Sequence, residues 1–291
     1  MNKIPVVARF LVLFLKLLLF TIVFLIVAAI LGILISLLTG ESIHSINPVL
    51  SVYAQLIAIF IVIPFFYYFL DHKKMADLGL SVRGHVKEFL AGSGIAVLIM
   101  ITCFGILLLC NQIEFGVNPF SSGSFLLGLV LYIGVAIFEE VMCRGYLLGN
   151  LMDSMNKYVA LFVSSIIFSV LHLFNDHISL IPIINLFLAG LLLGSAYIYT
   201  RNLWFPIGMH LFWNFTQGTV LGFNVSGHAE YTLLLLNYPE NNWFNGGLFG
   251  LEGSLLITFF TSIAIFLVMK HYIDKNKANI SEYSLSNNNS E

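Results

Sequence analysis

Two adjacent carboxylates, Glu139 and Glu140, lie inside an apolar run of residues 125–152. A charged side chain near the centre of a bilayer costs about 3 kcal/mol on insertion scales, so such residues usually face a protein interior or a water-filled cavity. Arg144 follows Glu140 by four residues, which places both on one helix face in the order that favours an ion pair. We therefore expect Arg144 to neutralise Glu140 as structural support, which leaves Glu139 free to act as a general base.

Three further polar residues, His172, His210 and Asn214, lie in later apolar segments. The hairpin between the fourth and fifth segments turns near Met155; Glu139 precedes this turn by 16 residues and His172 follows it by 17. At a rise of about 1.5 Å per residue, both side chains lie roughly 25 Å from the turn, at nearly the same height. His210 and Asn214 are four residues apart and share one face of a helix.

This combination fits hydrolysis of an amide bond by water. Glu139 would activate the water as a general base, and His172 would share that water or donate a proton to the leaving amine. His210 and Asn214 offer donors that can hold a developing oxyanion. For these helices to meet at one height, the hairpin must project about 10 Å beyond the turn at residues 200–202.

The composition predicts a membrane protein built from helices. Of 291 residues, 59% are hydrophobic and only 10% are charged, whereas soluble domains carry about 25% charged residues. The net charge of −2 gives no indication of a nucleic-acid partner, and membrane lipids are the expected surroundings. We predict an all-α polytopic membrane protein with about eight transmembrane helices and a core four-helix catalytic unit, because each apolar segment approaches the length needed to span a bilayer. The segments lie at about residues 11–38, 47–70, 88–110, 124–150, 158–174, 179–199, 203–222 and 251–271.

The basic residues predict the orientation of the chain. All 13 Lys and Arg residues lie at the termini or in and beside alternate connections between the segments. Basic residues mark the cytoplasmic side of a membrane protein, so both termini are expected in the cytoplasm. The abundance of Ile, Asn, Lys and Phe favours a bacterial cell membrane. The connections without any Lys or Arg are 39–46, 111–123, 175–178 and 223–250.

The cysteines, the glycines and the apolar segments predict how the chain is organised. The three cysteines lie in apolar runs and are expected to be free thiols. Gly190 and Gly194 form a GxxxG motif, which predicts close helix packing within the bundle. The predicted parts are the first three transmembrane helices (1–123), the catalytic helical core (124–222), a polar extracytoplasmic loop (223–250), the last transmembrane helix (251–272) and a disordered cytoplasmic tail (273–291).

The motifs, in their order along the chain, resemble those of a known family. They resemble the CPBP family of CAAX proteases and bacteriocin-processing proteins, relatives of the Rce-type CAAX endopeptidase, over about residues 124–222. The resemblance implies that Glu139 and His172 activate the hydrolytic water and that the cavity opens toward the cytoplasmic leaflet. It also implies that His210 and Asn214 line the oxyanion site. The motifs are EExxxR (Glu139, Glu140, Arg144), FxxxH (Phe168, His172) and HxxxN (His210, Asn214).

The sequence leaves open whether a metal takes part. Glu139, His172 and His210 can supply one oxygen and two nitrogens, a ligand set that suits Zn²⁺ with an open position, and the family is often described as metalloproteases. In the alternative, which we favour slightly, Glu139 acts directly as the base of a metal-free glutamate protease. The zincin motif HExxH, a GxSG-like serine motif and the aspartyl motif GxGD do not occur in the sequence.

These expectations lead to an intramembrane endopeptidase that cleaves a peptide or a lipidated protein substrate near the cytoplasmic face. Prenylated CAAX tails and pheromone or bacteriocin leader peptides are both candidate substrates, and resemblance alone does not choose between them. The alternative is a non-catalytic membrane protein that binds a bacteriocin-type peptide and confers immunity to it. A proton-coupled transporter is disfavoured, because the sequence shows no inverted repeat and no paired broken helices.

Overall fold

The computed structural model describes residues 6–228 and 232–288, and most of these residues lie in helices. Three of the helices are extended by a π-helical turn, at Tyr67–Asp71, Val141–Leu148 and Thr216–Val220. Two short strands, β1 (Glu114–Val117) and β2 (Leu234–Asn237), pair in antiparallel orientation. The helices in the described residues are α1 (Val6–Thr39), α2 (Pro48–Phe66), α3 (Val86–Leu109), α4 (Ser122–Glu140), α5 (Gly149–Ser154), α6 (Lys157–Leu171), α7 (Leu180–Thr200), α8 (Trp204–Phe215) and α9 (Leu255–Asn288).

Each predicted apolar segment contains a helix, which confirms an all-α polytopic membrane protein. Six helices in the described residues are long and apolar enough to cross a membrane. The fifth and seventh segments are shorter, because α6 has 15 residues and α8 has 12, followed by a π-helical turn of five. At about 1.5 Å per residue, these helices span roughly 23–26 Å, less than the ~30 Å hydrocarbon core. The predicted count of eight crossings is therefore not confirmed. The six long helices cover Ala8–Thr39, Pro48–Asp71, Val86–Leu109, Ser122–Ser154, Leu180–Thr200 and Leu255–Ala278.

The basic connections meet at one end of the structure. Lys16 of α1 forms an ion pair with Asp71, at the end of the α2 extension. Lys73 and Arg201 both form ion pairs with Asp153 of α5. The grouping of basic residues that the charge pattern predicts is thus present in space, and we call this side of the molecule the basic end.

The hairpin of α4, α5 and α6 projects beyond the neighbouring turn, as the residue counts predict. Arg201, which ends α7, donates from Nη1 to the carbonyl oxygen of Gly149 at 3.3 Å. Met155, at the tip, lies six residues after Gly149, which corresponds to about 9 Å along a helix. Asn156 fixes the tip, because its side chain accepts a hydrogen bond from the backbone N–H of Tyr158 at 2.9 Å and so caps α6.

Glycines let α3 and α8 pack with their backbones in contact. A methyl group added at Gly92 of α3 would overlap the carbonyl oxygen of Phe205 in α8. One added at Gly208 of α8 would overlap the carbonyl oxygen of Phe89 in α3. These approaches fix the height and rotation of α8, which carries the HxxxN motif.

The GxxxG motif packs inside the bundle, as predicted. A methyl group added at Gly190 of α7 would lie 2.8 Å from the Cα atom of Ser165 in α6. One added at Gly194 would overlap the side chain of Leu161, also in α6. Both glycines are buried between the two helices and leave no exposed small-residue face there.

The chain outside the core is more ordered than the sequence predicts. Residues 273–288 continue α9, so the predicted disordered tail is wrong over this range; residues 289–291 lie outside the described residues. The predicted loop 223–250 contains β2, which pairs with β1 from the preceding connection. The apolar segment assigned to the last helix begins with a short 3₁₀ turn at Leu251–Gly253, and α9 starts only at Leu255.

Candidate active site

Glu140 and Arg144 form the ion pair that their spacing predicts. The Glu140 side chain is fully buried, and its Oε1 atom lies 2.7 Å from Nη1 of Arg144. The same oxygen lies 2.8 Å from Nδ1 of His210. The Arg144 guanidinium also lies over the ring of Phe168, 4.3 Å from its centroid. One carboxylate thus connects the first motif to the third, and the Phe of the second motif covers the guanidinium.

Glu139 lies between the two motif histidines. Its Oε2 atom is 3.9 Å from Nε2 of His172 and 3.9 Å from Nε2 of His210. These separations are too long for direct hydrogen bonds. They match the space that one bridging water needs, with roughly 2.8 Å to each neighbour. The three helices therefore bring together the three side chains that the sequence assigns to the hydrolytic centre.

The hydrogen bond that each imidazole makes through Nδ1 determines whether its Nε2 atom, which faces Glu139, carries a proton. Nδ1 of His172 lies 2.8 Å from the carbonyl oxygen of Phe168. A carbonyl oxygen can only accept, so Nδ1 of His172 carries the proton. Nδ1 of His210 donates in the same way to the Glu140 carboxylate. In the neutral rings, both Nε2 atoms present lone pairs toward Glu139.

Three acceptor atoms therefore face one another without a donor between them. A water molecule can donate to only two of the three acceptors. The cluster can therefore accept a proton from a water held among the three side chains, as hydrolysis requires.

The predicted metal ligands do not form a ready zinc site. Zinc binds nitrogen and oxygen at about 2.0–2.2 Å, so neighbouring ligands in a tetrahedral site lie about 3.3–3.5 Å apart. Both separations from Glu139 Oε2 to the histidine Nε2 atoms are wider, at 3.9 Å. No group of three or more His, Cys, Asp or Glu within the described residues has the geometry of a metal site.

Asn214 supplies an uncommitted amide. It lies one turn after His210 on α8, and only 5% of its surface is exposed. It lines the same cavity as Glu139 and His172. Its side chain makes no hydrogen bond to any of the residues that the structure describes. The Asn214 amide faces no competing partner among these residues and is therefore available to a bound substrate.

A π-helical turn follows the paired carboxylates directly. The turn covers Val141–Leu148 and includes the buried Arg144. Such wide turns are rare and frequently occur at functional sites. A second π-helical turn, Thr216–Val220, begins two residues after Asn214. The apolar pattern of the sequence gives no signal for either turn.

The candidate centre lies in the wall of a cavity of about 830 Å³. Glu252, which sequence reasoning missed, also lines this cavity and is only 8% exposed. Its carboxylate accepts hydrogen bonds from Trp213 Nε1 at 3.1 Å and from the backbone N and Oγ of Ser226 at 2.9 and 2.7 Å. Trp213 directly precedes Asn214, so Glu252 lies beside the third motif. In the sequence, the signal for Glu252 is a single acidic residue within an otherwise apolar, Gly-rich stretch.

Exposed residues of the cavity wall lie at the end of the structure opposite the basic end. The cavity rim includes the exposed residues His44 and His228, from two connections without Lys or Arg. Its floor, toward the basic end, includes Cys143 and Met209, each 1% exposed. The exposed lining residues do not support the opening toward the cytoplasmic leaflet that the resemblance implies, and that opening stays a prediction.

Comparison with known proteins identifies the central part of the chain. Residues 119–216 match the family model described as type II CAAX prenyl endopeptidase Rce1-like. The match covers about a third of the 291 residues, from the start of α4 to the end of α8, and includes every motif residue. No curated protein matches the sequence. The resemblance to the CAAX-protease family is confirmed over this segment.

Proposed function

We propose that this membrane protein is an intramembrane endopeptidase that hydrolyses a peptide bond with a water held by Glu139, His172 and His210. The observation that carries the proposal is the position of Glu139 Oε2, 3.9 Å from both histidine Nε2 atoms. The site lies in the wall of a cavity large enough for a peptide segment. The family match over residues 119–216 supports the same class of reaction.

In the proposed reaction, Glu139 accepts a proton from the bridging water as the water oxygen attacks the scissile carbonyl carbon. The carbonyl oxygen becomes an oxyanion, which the Asn214 amide can stabilise by donation. Glu139 then delivers that proton to the leaving nitrogen, directly or through Nε2 of His172, and the C–N bond breaks. The products are an amine, which receives one hydrogen of the water, and a carboxylic acid, which keeps the other until it ionises and releases a proton.

Glu140 and Arg144 act as positioning residues in this scheme. The Glu140 carboxylate holds Nδ1 of His210 and stabilises the ring when it is protonated, as a buried acid does for the histidine of a catalytic triad. A protonated His210 can donate from Nε2 to the oxyanion, the role that the resemblance implies. Before the attack, the neutral His210 ring accepts a hydrogen bond from the water through Nε2. His210 thus serves two stages of the reaction, and the ion pair with Arg144 keeps Glu140 in place.

The test is cleavage of tagged peptides by purified protein in detergent, using both prenylated CAAX tails and unmodified peptides. We expect Glu139→Gln to lose at least about 10²-fold in kcat, the scale of a general base. Glu114→Gln, which removes an exposed carboxylate from β1, is the matched control and should cleave like the wild type.

A chelator and zinc re-addition separate the two catalytic types. Cleavage that is insensitive to the chelator but lost in Glu139→Gln indicates a glutamate protease. Loss with the chelator and recovery with zinc indicates that the three side chains move together around a metal. If wild type and Glu139→Gln are equally inert on every peptide while the variant still functions in cells, the protease proposal is wrong and a binding protein is the better account.

A further inference from the structure

We propose that the catalytic cavity is loaded from the end opposite the basic end, by a peptide that carries a basic side chain near the cleaved bond and places it against Glu252. This inference rests on the proposed endopeptidase function. It adds the direction of entry and the class of substrate. Three features of the cavity carry it.

The first feature is the position of the rim. His44 follows α1, and His228 belongs to the connection before α9; both are exposed and line the cavity. Asn175, just after α6, joins the same rim by donating from Nδ2 to the carbonyl oxygen of Ser226 at 3.1 Å. Polar residues at this end of the cavity can exchange contacts with water for contacts with an extended peptide.

The second feature is the charge of the cavity and its surroundings. The four connections at this end contain no Lys or Arg, whereas they contain acidic residues in each case. None of the described lining residues is Lys or Arg, but two are carboxylates, Glu139 and Glu252. Two carboxylates without a lining Lys or Arg favour a cationic segment over an acidic one when the lining histidines are neutral.

The third feature is the environment of Glu252. Its carboxylate is almost completely buried and accepts only neutral donors, from Trp213 and Ser226. These donors fix its position, and no described Lys, Arg or His forms an ion pair with it. A guanidinium or ammonium group of a substrate can supply the missing charge at the cavity wall. Glu252, Asn214 and Glu139 line the same cavity, so this contact would lie in the cavity that holds the catalytic centre.

Two peptides that differ in one residue, arginine or its neutral isostere citrulline, test the charge preference in detergent. We expect the wild type to cleave the arginine peptide with kcat/KM higher by at least about tenfold, the effect of one charge-assisted hydrogen bond, chiefly through KM. Glu252→Gln should reduce this ratio to about one while it still cleaves the citrulline peptide. Glu240→Gln removes an exposed acid at the same end that does not line the cavity, and should keep the wild-type ratio.

Sealed proteoliposomes test the direction of entry with a membrane-impermeant arginine peptide. Protein oriented with Cys110 outside is expected to cleave external peptide, and protein in the opposite orientation is expected to cleave it only after detergent is added. Cys110, the exposed cysteine at the end of α3, reports the orientation through an impermeant maleimide.

The outcomes separate this inference from the proposed function. No cleavage in detergent contradicts the endopeptidase itself. Cleavage in detergent, but in vesicles only from the basic end, overturns the direction of entry and leaves the endopeptidase standing. An equal preference for arginine in wild type and Glu252→Gln overturns the role of Glu252.

Discussion

Exchange of Glu140 for Gln is expected to destabilise the fold, whereas the same exchange at Glu139 should stop catalysis and leave the fold intact. The Glu140 carboxylate is fully buried and bonds both Arg144 and His210. In Glu140→Gln, the Arg144 guanidinium stays buried without a counter-charge, and breaking a buried pair in this way costs about 3–5 kcal/mol. The Glu139 side chain is 20% exposed and makes no direct hydrogen bond to a described residue. Its exchange should change stability by less than about 0.5 kcal/mol.

Thermal unfolding in detergent can be followed with a maleimide dye that reacts with newly exposed thiols. Cys103 and Cys143 are buried, and Cys110→Ser removes the exposed thiol from the background. The unfolding temperature falls by about 2–4 °C for each kcal/mol of stability lost, so Glu140→Gln should unfold about 6–20 °C below the parent. Glu139→Gln should unfold within about 2 °C of the parent.

A double variant separates the lost pair from other effects of the exchange. Arg144→Met combined with Glu140→Gln removes both charges, so it should recover much of the stability that Glu140→Gln loses. Unfolding of Glu140→Gln at the parent temperature would show that the pair is not a structural support. In that case Glu140 would compete with Glu139 for the role of general base.

The structure makes three further predictions. Gly92→Ala should lower stability by about 1–3 kcal/mol, because the added methyl group overlaps the backbone of α8; Gly94→Ala, on the same helix with open space around it, should leave the unfolding temperature unchanged or raised. Asn214→Ala should lower kcat by about 10²-fold, as loss of an oxyanion donor does, without lowering the unfolding temperature, and a proportional loss of both would contradict its assignment. Cys110 in intact cells should react with an impermeant maleimide, and Cys110→Ser should abolish the label; labelling only after permeabilisation would reverse the orientation predicted from the charges.

The sequence was sufficient to predict those parts of the site that depend on helix geometry. Glu140 and Arg144 pair because residues four apart share a helix face. Glu139 and His172 meet because equal distances from one turn give equal heights on antiparallel helices. The projection of the hairpin beyond residues 200–202 follows from the same arithmetic. Each of these relations is local, or passes through a single short turn.

The parts that the sequence did not predict depend on contacts between segments far apart in the chain. Glu252 reaches the site through hydrogen bonds with Trp213 and Ser226, which no periodic pattern encodes. The direction of the cavity depends on how the connections fold over the helix ends. The approach of α3 to α8 depends on Gly92 and Gly208, and each appears in the sequence as an ordinary helix glycine.

The end of α6 at the catalytic centre has a consequence for insertions and deletions. His172 directly follows α6, and its ring is tied by Nδ1 to the carbonyl oxygen of Phe168. One residue inserted between Lys157 and Phe168 would turn His172 by about 100° and raise it by about 1.5 Å, away from Glu139. A residue inserted at the tip, near Met155, can be absorbed by the turn. Natural length variation in this hairpin is therefore expected at its tip, while α6 keeps its length.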